Sequence, residues 1–168
     1  MMSSTQPKLE PRDIAISRKA RLDAARYLDA VLGDTYKLMI ETQILHWNIR
    51  GPLFLAAHEL SEVQYKNMFA AVDVIAERAR ALGQSSPAQA GSFPPPAQVS
   101  GKLVSAEKAI EGLVDGHEAL VKLLREAVEA LEEEDDLASA DFLVDRLAFH
   151  EKSIWMWRAL AGDSVSLE

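Results

Sequence analysis

The chain has 168 residues, of which 48% are hydrophobic, and this predicts a single globular domain with a sizeable core. The absence of cysteine excludes disulfides, thiolate metal sites and cysteine nucleophiles, so any metal ligand must be histidine, carboxylate or water. The formal net charge of −8 argues against a surface that is basic overall and suits a protein that attracts cations. Because there is no apolar run of membrane-spanning length and no secretory signal, we expect a cytoplasmic protein.

The sequence divides into one predicted helical bundle and two polar ends. Residues 1–15 are predicted to form a flexible tail, residues 16–162 the bundle, and residues 163–168 a second, shorter tail. No segment has the alternating pattern of a strand, so the fold class is predicted to be all-α.

The first predicted helix, over 16–48, has core side chains at steps of three and four that end at His46. Gly51-Pro52 then interrupts the helical pattern, and a second helix is predicted over 56–81. The stripe on the first helix consists of Leu28, Leu32, Thr35, Met39, Thr42 and His46.

Residues 84–101 contain three consecutive prolines, which forbid a regular helix and predict a long crossover connection between helices 2 and 3. A third helix is predicted over 105–132 with Ser105 as its N-cap. The acidic run 132–136 is predicted to span a break and to favour the start of a fourth helix over 137–161. Together these segments predict a four-helix bundle.

Four candidate metal ligands lie near or on the second predicted helix: His46, His58, Asp73 and Glu77. Asp73 and Glu77 are four residues apart and so share one helix face. On a straight helix, Asp73 lies ~22 Å from His58, so one subunit cannot close a single site with both pairs. An antiparallel two-fold pairing of this helix would place the histidines of one chain beside the carboxylates of the other, in two identical sites.

Each of these candidates also has an interpretation without metal. A single histidine at a helix end is more often a cap or a buried hydrogen-bonding group, and Asp73 and Glu77 are typical of a solvated face. However, Asp73 lies among apolar neighbours, where a carboxylate requires a positive partner such as a cation. Two imidazoles with two carboxylates suit iron, manganese or zinc better than calcium or magnesium.

The two remaining histidines are not accompanied by a comparable set of candidate metal ligands in the sequence. We interpret His117 as exposed, and His150 as a structural residue bonded through the neighbouring Glu151-Lys152.

Several stretches of this sequence are shared with a known family. They are HWNIRGPLF at 46–54, His58, QY at 64–65, DVIAERARALG at 73–83, LDAVLGDTYKLMIETQ at 28–43 and HEKSIWMWRAL at 150–160. These stretches closely resemble the Dps family of ferritin-like proteins, also called DNA-binding proteins from starved cells. The resemblance covers roughly residues 16–83 and 136–161.

The resemblance implies a ferritin-like four-helix bundle that assembles on two-fold dimers into a hollow dodecamer. Such shells oxidise Fe(II) with hydrogen peroxide or O2 at sites between subunits, store the ferric mineral inside, and so protect against oxidative damage. Iron, as Fe2+ and Fe3+, is therefore the expected metal. The implied site residues are His46 and His58 of one subunit, Asp73 and Glu77 of its mate, Glu62 as a further ligand, and Trp47 beside the iron as a radical quencher.

The acid-rich start of the fourth helix matches another feature of the family. The resemblance implies that Asp136, Asp141 and Asp145 line pores at a three-fold axis through which Fe(II) is taken up. The alternative is a solvated helix start that the helix dipole favours.

The resemblance leaves two alternative functions, a DNA-compacting shell with little ferroxidase role and a structural bundle without metal. The family's DNA binders often carry a lysine-rich tail, whereas residues 1–13 carry little net charge, so we expect little or no DNA binding. The Glu-x-x-His pairs of ferritins with an intrasubunit di-iron centre are absent, which argues against such a centre here.

Overall fold

The computed structural model describes residues 13–85 and 105–162, which form four α-helices and contain no strand. The helices are α1 (Arg18–Asn48), α2 (Phe54–Ala81), α3 (Ala106–Glu133) and α4 (Leu137–Leu160). The predicted all-α class and the four predicted helices are therefore confirmed, with boundaries that differ by no more than about two residues. Residues 1–12 of the first predicted tail, all of the second, and most of the predicted connection lie outside the described residues.

Short polar side chains determine where three of the helices begin. Ser17 accepts a hydrogen bond from the backbone N–H of Ala20 at 3.0 Å, so α1 begins at Arg18. Ser105 caps α3 in the same way, as predicted, and Asp136 caps α4. Between α3 and α4 the chain turns at Asp135, whose φ of +58° breaks the helix within the acidic run.

The core lies between the four helices and includes the stripe predicted on α1. Every member of that stripe, from Leu28 to His46, is at most 9% exposed. α1 and α3 approach closely at Gly116, where an added Cβ would lie only 2.7 Å from Cδ1 of Leu38. Glycine is therefore favoured here by packing, because an added methyl group would force the buried Leu38 side chain to move.

Polar contacts at one end of the bundle establish the direction of each helix. The Arg21 guanidinium near the start of α1 donates to the carbonyl of Leu82 after α2, at 3.1 Å. Arg78 near the end of α2 pairs with Asp136 at the start of α4, and Lys19 on α1 pairs with Glu134 after α3.

α2 and α3 therefore end at the same end of the bundle and run in the same direction. The end of α2 and the start of α3 therefore lie at opposite ends of the bundle, about 40 Å apart for helices of this length. This confirms the predicted long crossover between helices 2 and 3. Across the described ranges, we find no helix with the length and apolar character needed to cross a lipid bilayer.

Candidate metal centre

His46 and His58 lie face to face where the chain reverses between α1 and α2. Gly51, with a φ of +89°, makes the turn that brings the start of α2 back beside the end of α1. The two imidazole rings stack with their centroids 3.8 Å apart and their planes 17° from parallel. The structure thus brings together two side chains that are separated by eleven residues in the sequence.

Each of these histidines is held by the backbone of the other. Nδ1 of His46 donates to the carbonyl of His58 at 2.9 Å, and Nδ1 of His58 donates to the carbonyl of His46 at 3.0 Å. Because a carbonyl oxygen can only accept, both Nδ1 atoms must carry the proton. In the neutral rings both Nε2 atoms therefore keep a lone pair, and this is the form of histidine that binds a metal.

Three further side chains of α2 fix the position of the histidine rings. The Ser61 hydroxyl donates to the carbonyl of His58 at 2.9 Å. Phe54 stacks on His58 at 5.2 Å between centroids, and Tyr65 meets His46 edge to face at 5.3 Å. The pair therefore has little freedom to rotate away before a metal binds.

Glu62 lies one helical turn after His58 and is half-buried. Its carboxylate forms an ion pair with Lys66. This hydrogen-bonded ion pair is the main cause of a lowered Glu62 pKa, and both His46 and His58 contribute to the lowering. Glu62 is therefore a carboxylate on the histidine side of α2 whose partner in the protomer is Lys66.

Asp73 and Glu77 lie on the exposed face of α2, far from the histidines. Fifteen residues of helix separate His58 from Asp73, which corresponds to ~22 Å. Within residues 13–85 and 105–162 of one protomer, no three potential ligands come together as a metal-binding group. A single chain therefore brings the two histidines together, with Glu62 one helical turn beyond His58, but does not bring the acidic pair to them.

Large apolar side chains surround these ligands on the outer surface of the protomer. Trp47, beside His46, is 67% exposed, and Phe69, four residues before Asp73, is 65% exposed. A cluster of exposed apolar side chains is a common feature of surfaces that contact another protein. The exposed apolar residues of this face are Trp47, Phe54, Leu55, Val63, Phe69 and Val74.

The three aspartates predicted to line a pore have different environments. Asp141 and Asp145 are exposed on one face of α4, where they are free to line a channel. Asp136, in contrast, is fully buried and binds Arg78 at 2.6 Å and the Ser139 hydroxyl at 2.6 Å. We therefore correct its interpretation, because a carboxylate that is buried and paired within its own protomer serves as a helix cap rather than as a pore residue.

The interpretation of His117 as exposed and of His150 as bonded through Glu151-Lys152 was wrong. Both histidines are fully buried, and their Nδ1 atoms form a hydrogen bond of 2.8 Å between α3 and α4. Burial and nearby Arg146 lower the pKa of His117 to about 4, and burial, His117 and Arg146 lower the pKa of His150 to about 2. The signal was present in the sequence, because His117 continues the core stripe of α3 three residues before Leu120.

Known proteins that resemble this chain in sequence and in structure share its four-helix fold and come from one family. A family model for the ferritin-like domain matches residues 25–164. The chain is 32% identical over 151 residues to an uncharacterized low temperature-induced protein of Nostoc, covering 88% of this chain and 84% of the relative. It is 32% identical over 124 residues to a DNA protection during starvation protein of Brevibacillus brevis, covering 73% of this chain and 83% of that protein.

Solved structures share this fold. The crystal structure of a Dps protein from Bacillus brevis superposes with a TM-score of 0.79 and 29% sequence identity. The match covers 88% of this chain and 100% of the other.

Proposed function

The chain belongs to the Dps family of ferritin-like proteins, and on this premise we propose that it is an iron-storing ferroxidase whose sites are shared by two protomers. The observation on which the proposal rests is the reciprocal hydrogen bonding of His46 and His58, which presents two metal-binding Nε2 atoms. Two histidines alone are an incomplete set for a hard or borderline metal ion.

The missing ligands are proposed to come from a second copy of the chain. Two α2 helices that pack antiparallel about a two-fold axis place Asp73 and Glu77 of one protomer beside the histidines of the other. The exposed apolar side chains between the two ends of α2 supply the contact. Each dimer then has two equal sites, each with His46, His58 and Glu62 from one protomer and the acidic pair from its partner.

This ligand set suits Fe(II) as a substrate. Imidazole nitrogen binds Fe(II) well, while carboxylates stabilise Fe(III) more strongly than Fe(II) and so favour oxidation. In the proposed reaction two Fe(II) ions each give one electron to one hydrogen peroxide, its O–O bond breaks, and two hydroxide ions form. Hydrolysis of the Fe(III) to ferric oxide-hydroxide then releases protons, and the mineral is stored inside a hollow shell, proposed to be a dodecamer. O2 is the alternative oxidant.

Complementation between two inactive variants tests whether the site is shared. His46→Ala/His58→Ala removes the histidines, and Asp73→Ala/Glu77→Ala removes the acids, so each variant alone should lack fast Fe(II) oxidation. In a mixed dimer, one of the two sites regains a complete ligand set. With random pairing, half of the dimers are mixed, and we expect about one quarter of the wild-type rate.

The two variants should carry tags of different mass, so that native mass spectrometry gives the proportion of each variant in the mixed assemblies. The measurement is the rate of ferric absorbance after Fe(II) and then peroxide are added to the apoprotein. Mixed dimers that remain as inactive as their parents would show that the two pairs do not form one site. A wild-type protein that gives no soluble ferric core would reject the ferroxidase function itself.

Binding of DNA is a separate activity, and we propose that it is weak or absent. The printed name of the Brevibacillus relative states DNA protection for that protein. In this chain a net charge of −8 repels the phosphates of DNA. We propose that the protein protects DNA without binding it, by consuming peroxide together with Fe(II). A gel-shift at physiological salt is expected to show no retardation, and clear retardation would favour a DNA-compacting shell.

A further inference from the structure

Tyr65 is the oxidisable ring that contacts a proposed metal ligand directly. It lies two helical turns after His58 on the same face of α2, and its ring meets the His46 ring edge to face at 5.3 Å between centroids. Phe54, which stacks on His58, has no phenol and is far harder to oxidise. Tyr65 is also half-buried, so a radical on its ring would be partly shielded from bulk solvent.

The proposed chemistry requires two electrons for each peroxide, whereas each Fe(II) supplies one. The five protein ligands of the shared site nearly complete the six-coordinate shell of one iron ion. When Fe(II) is scarce, a site therefore holds a single ion. One-electron reduction of peroxide by that ion would leave a hydroxyl radical beside the protein.

We infer that Tyr65 supplies the second electron when one Fe(II) is bound, and this inference rests on the proposed ferroxidase function. In this step, Fe(II) gives one electron to hydrogen peroxide and the phenol of Tyr65 gives one electron and one proton. The O–O bond breaks, and the products are Fe(III), one hydroxide ion, one water molecule and a neutral tyrosyl radical. No hydroxyl radical leaves the site.

The contact geometry favours Tyr65 over Trp47 as the first donor. Trp47 follows His46 in the sequence, but its indole is 67% exposed and forms no ring contact with either histidine in the described part of the protomer. An electron from Tyr65 passes to the metal through a ligand ring in van der Waals contact.

Freeze-quench electron paramagnetic resonance of the assembled protein tests the inference. The protein is loaded without oxygen with one Fe(II) per site, mixed with hydrogen peroxide, and compared with the Tyr65→Phe variant. We expect a tyrosyl signal in the wild type that changes its hyperfine structure when the tyrosines are ring-deuterated. Tyr65→Phe should lack this signal and should release several-fold more hydroxyl radical to a spin trap, per Fe(III) formed.

Tyr27→Phe is the matched control, because Tyr27 is also half-buried but precedes His46 by nineteen helical residues, or ~28 Å. This control should keep the wild-type signal. An equal signal in Tyr65→Phe, or a signal lost only in Trp47→Phe, would overturn the inference while leaving the ferroxidase function intact. Wild-type protein that forms no Fe(III) would overturn both.

Discussion

The Ser61 hydroxyl lies 3.3 Å from Nδ1 of His46 and donates to the same His58 carbonyl that accepts the His46 Nδ1–H. One carbonyl oxygen thus links both histidines and a fully buried serine. The carbonyl holds the proton of His46 on Nδ1, and the serine holds the carbonyl in place. The geometry of the proposed ligands therefore depends on a residue that does not itself bind the metal.

Ser61→Ala is expected to weaken metal binding at the histidine pair without removing a ligand. A lost hydrogen bond of about 1 kcal/mol corresponds to about fivefold weaker binding. Calorimetric titration of the assembled apoprotein with Zn(II) measures this change. Ser153→Ala is the control, because Ser153 is a buried serine that donates to the carbonyl of Phe149 on α4, away from the site. Equal affinities for both variants would argue against the role of Ser61.

Two glycines on α3 are predicted to respond oppositely to the same substitution. Gly116→Ala places a methyl group 2.7 Å from Cδ1 of the buried Leu38, so we expect a loss of about 1 to 2 kcal/mol in the free energy of unfolding. Gly112→Ala meets no atom within 4 Å and should stabilise the helix by about 0.5 to 1 kcal/mol. Denaturant unfolding at a fixed protomer concentration measures both, and a stabilised Gly116→Ala would show that α1 and α3 are not closely packed there.

The exposed aspartates of α4 are predicted to speed iron uptake through their charge. Asp141→Asn/Asp145→Asn should slow Fe(II) oxidation at low ionic strength and reduce its dependence on salt, because fewer negative charges attract the cation. Stopped-flow absorbance of ferric product measures the rate. Glu126→Gln/Glu129→Gln removes the same charge from an exposed face of α3 and serves as the control. Equal slowing by both pairs would indicate a general charge effect rather than a pore.

Helix positions were predictable from the sequence because local signals determine them. The stripe from Leu28 to His46 fixed the buried face of α1, and Ser105 marked the start of α3. The ~22 Å between the two pairs of candidate ligands also followed from the helix rise alone. These inferences need only the periodicity of one chain.

Partners that come from distant parts of the chain were not predictable in this way. The acidic run predicts Asp136 as a pore residue, yet the environment of its carboxylate depends on Arg78, which lies 58 residues earlier. His117 was read as exposed because its partner, His150, lies on another helix. Burying a polar side chain on a core stripe costs free energy unless the side chain has a hydrogen-bond partner. The periodicity of the sequence does not indicate which residue that partner is.

The pair of buried histidines predicts that the protein loses stability as the pH falls. In the unfolded chain each histidine binds a proton near its ordinary pKa of about 6.5, whereas the folded protein lowers the pKa of His117 to about 4 and that of His150 to about 2. Between about pH 6.5 and pH 4 the unfolded state therefore binds more protons than the folded state. The free energy of unfolding should fall by up to about 1.4 kcal/mol per pH unit for each histidine.

His117→Leu/His150→Leu replaces both rings with apolar side chains and removes both titrations. This variant should show a flatter dependence of unfolding free energy on pH between about 6.5 and 4, measured by denaturant titration at fixed protomer concentration. Each single substitution should lower the free energy of unfolding by more than half of the loss caused by the double substitution. The reason is that it leaves the Nδ1 of the remaining histidine buried without its partner. Equal slopes for the double variant and the wild type would mean that other groups control acid stability.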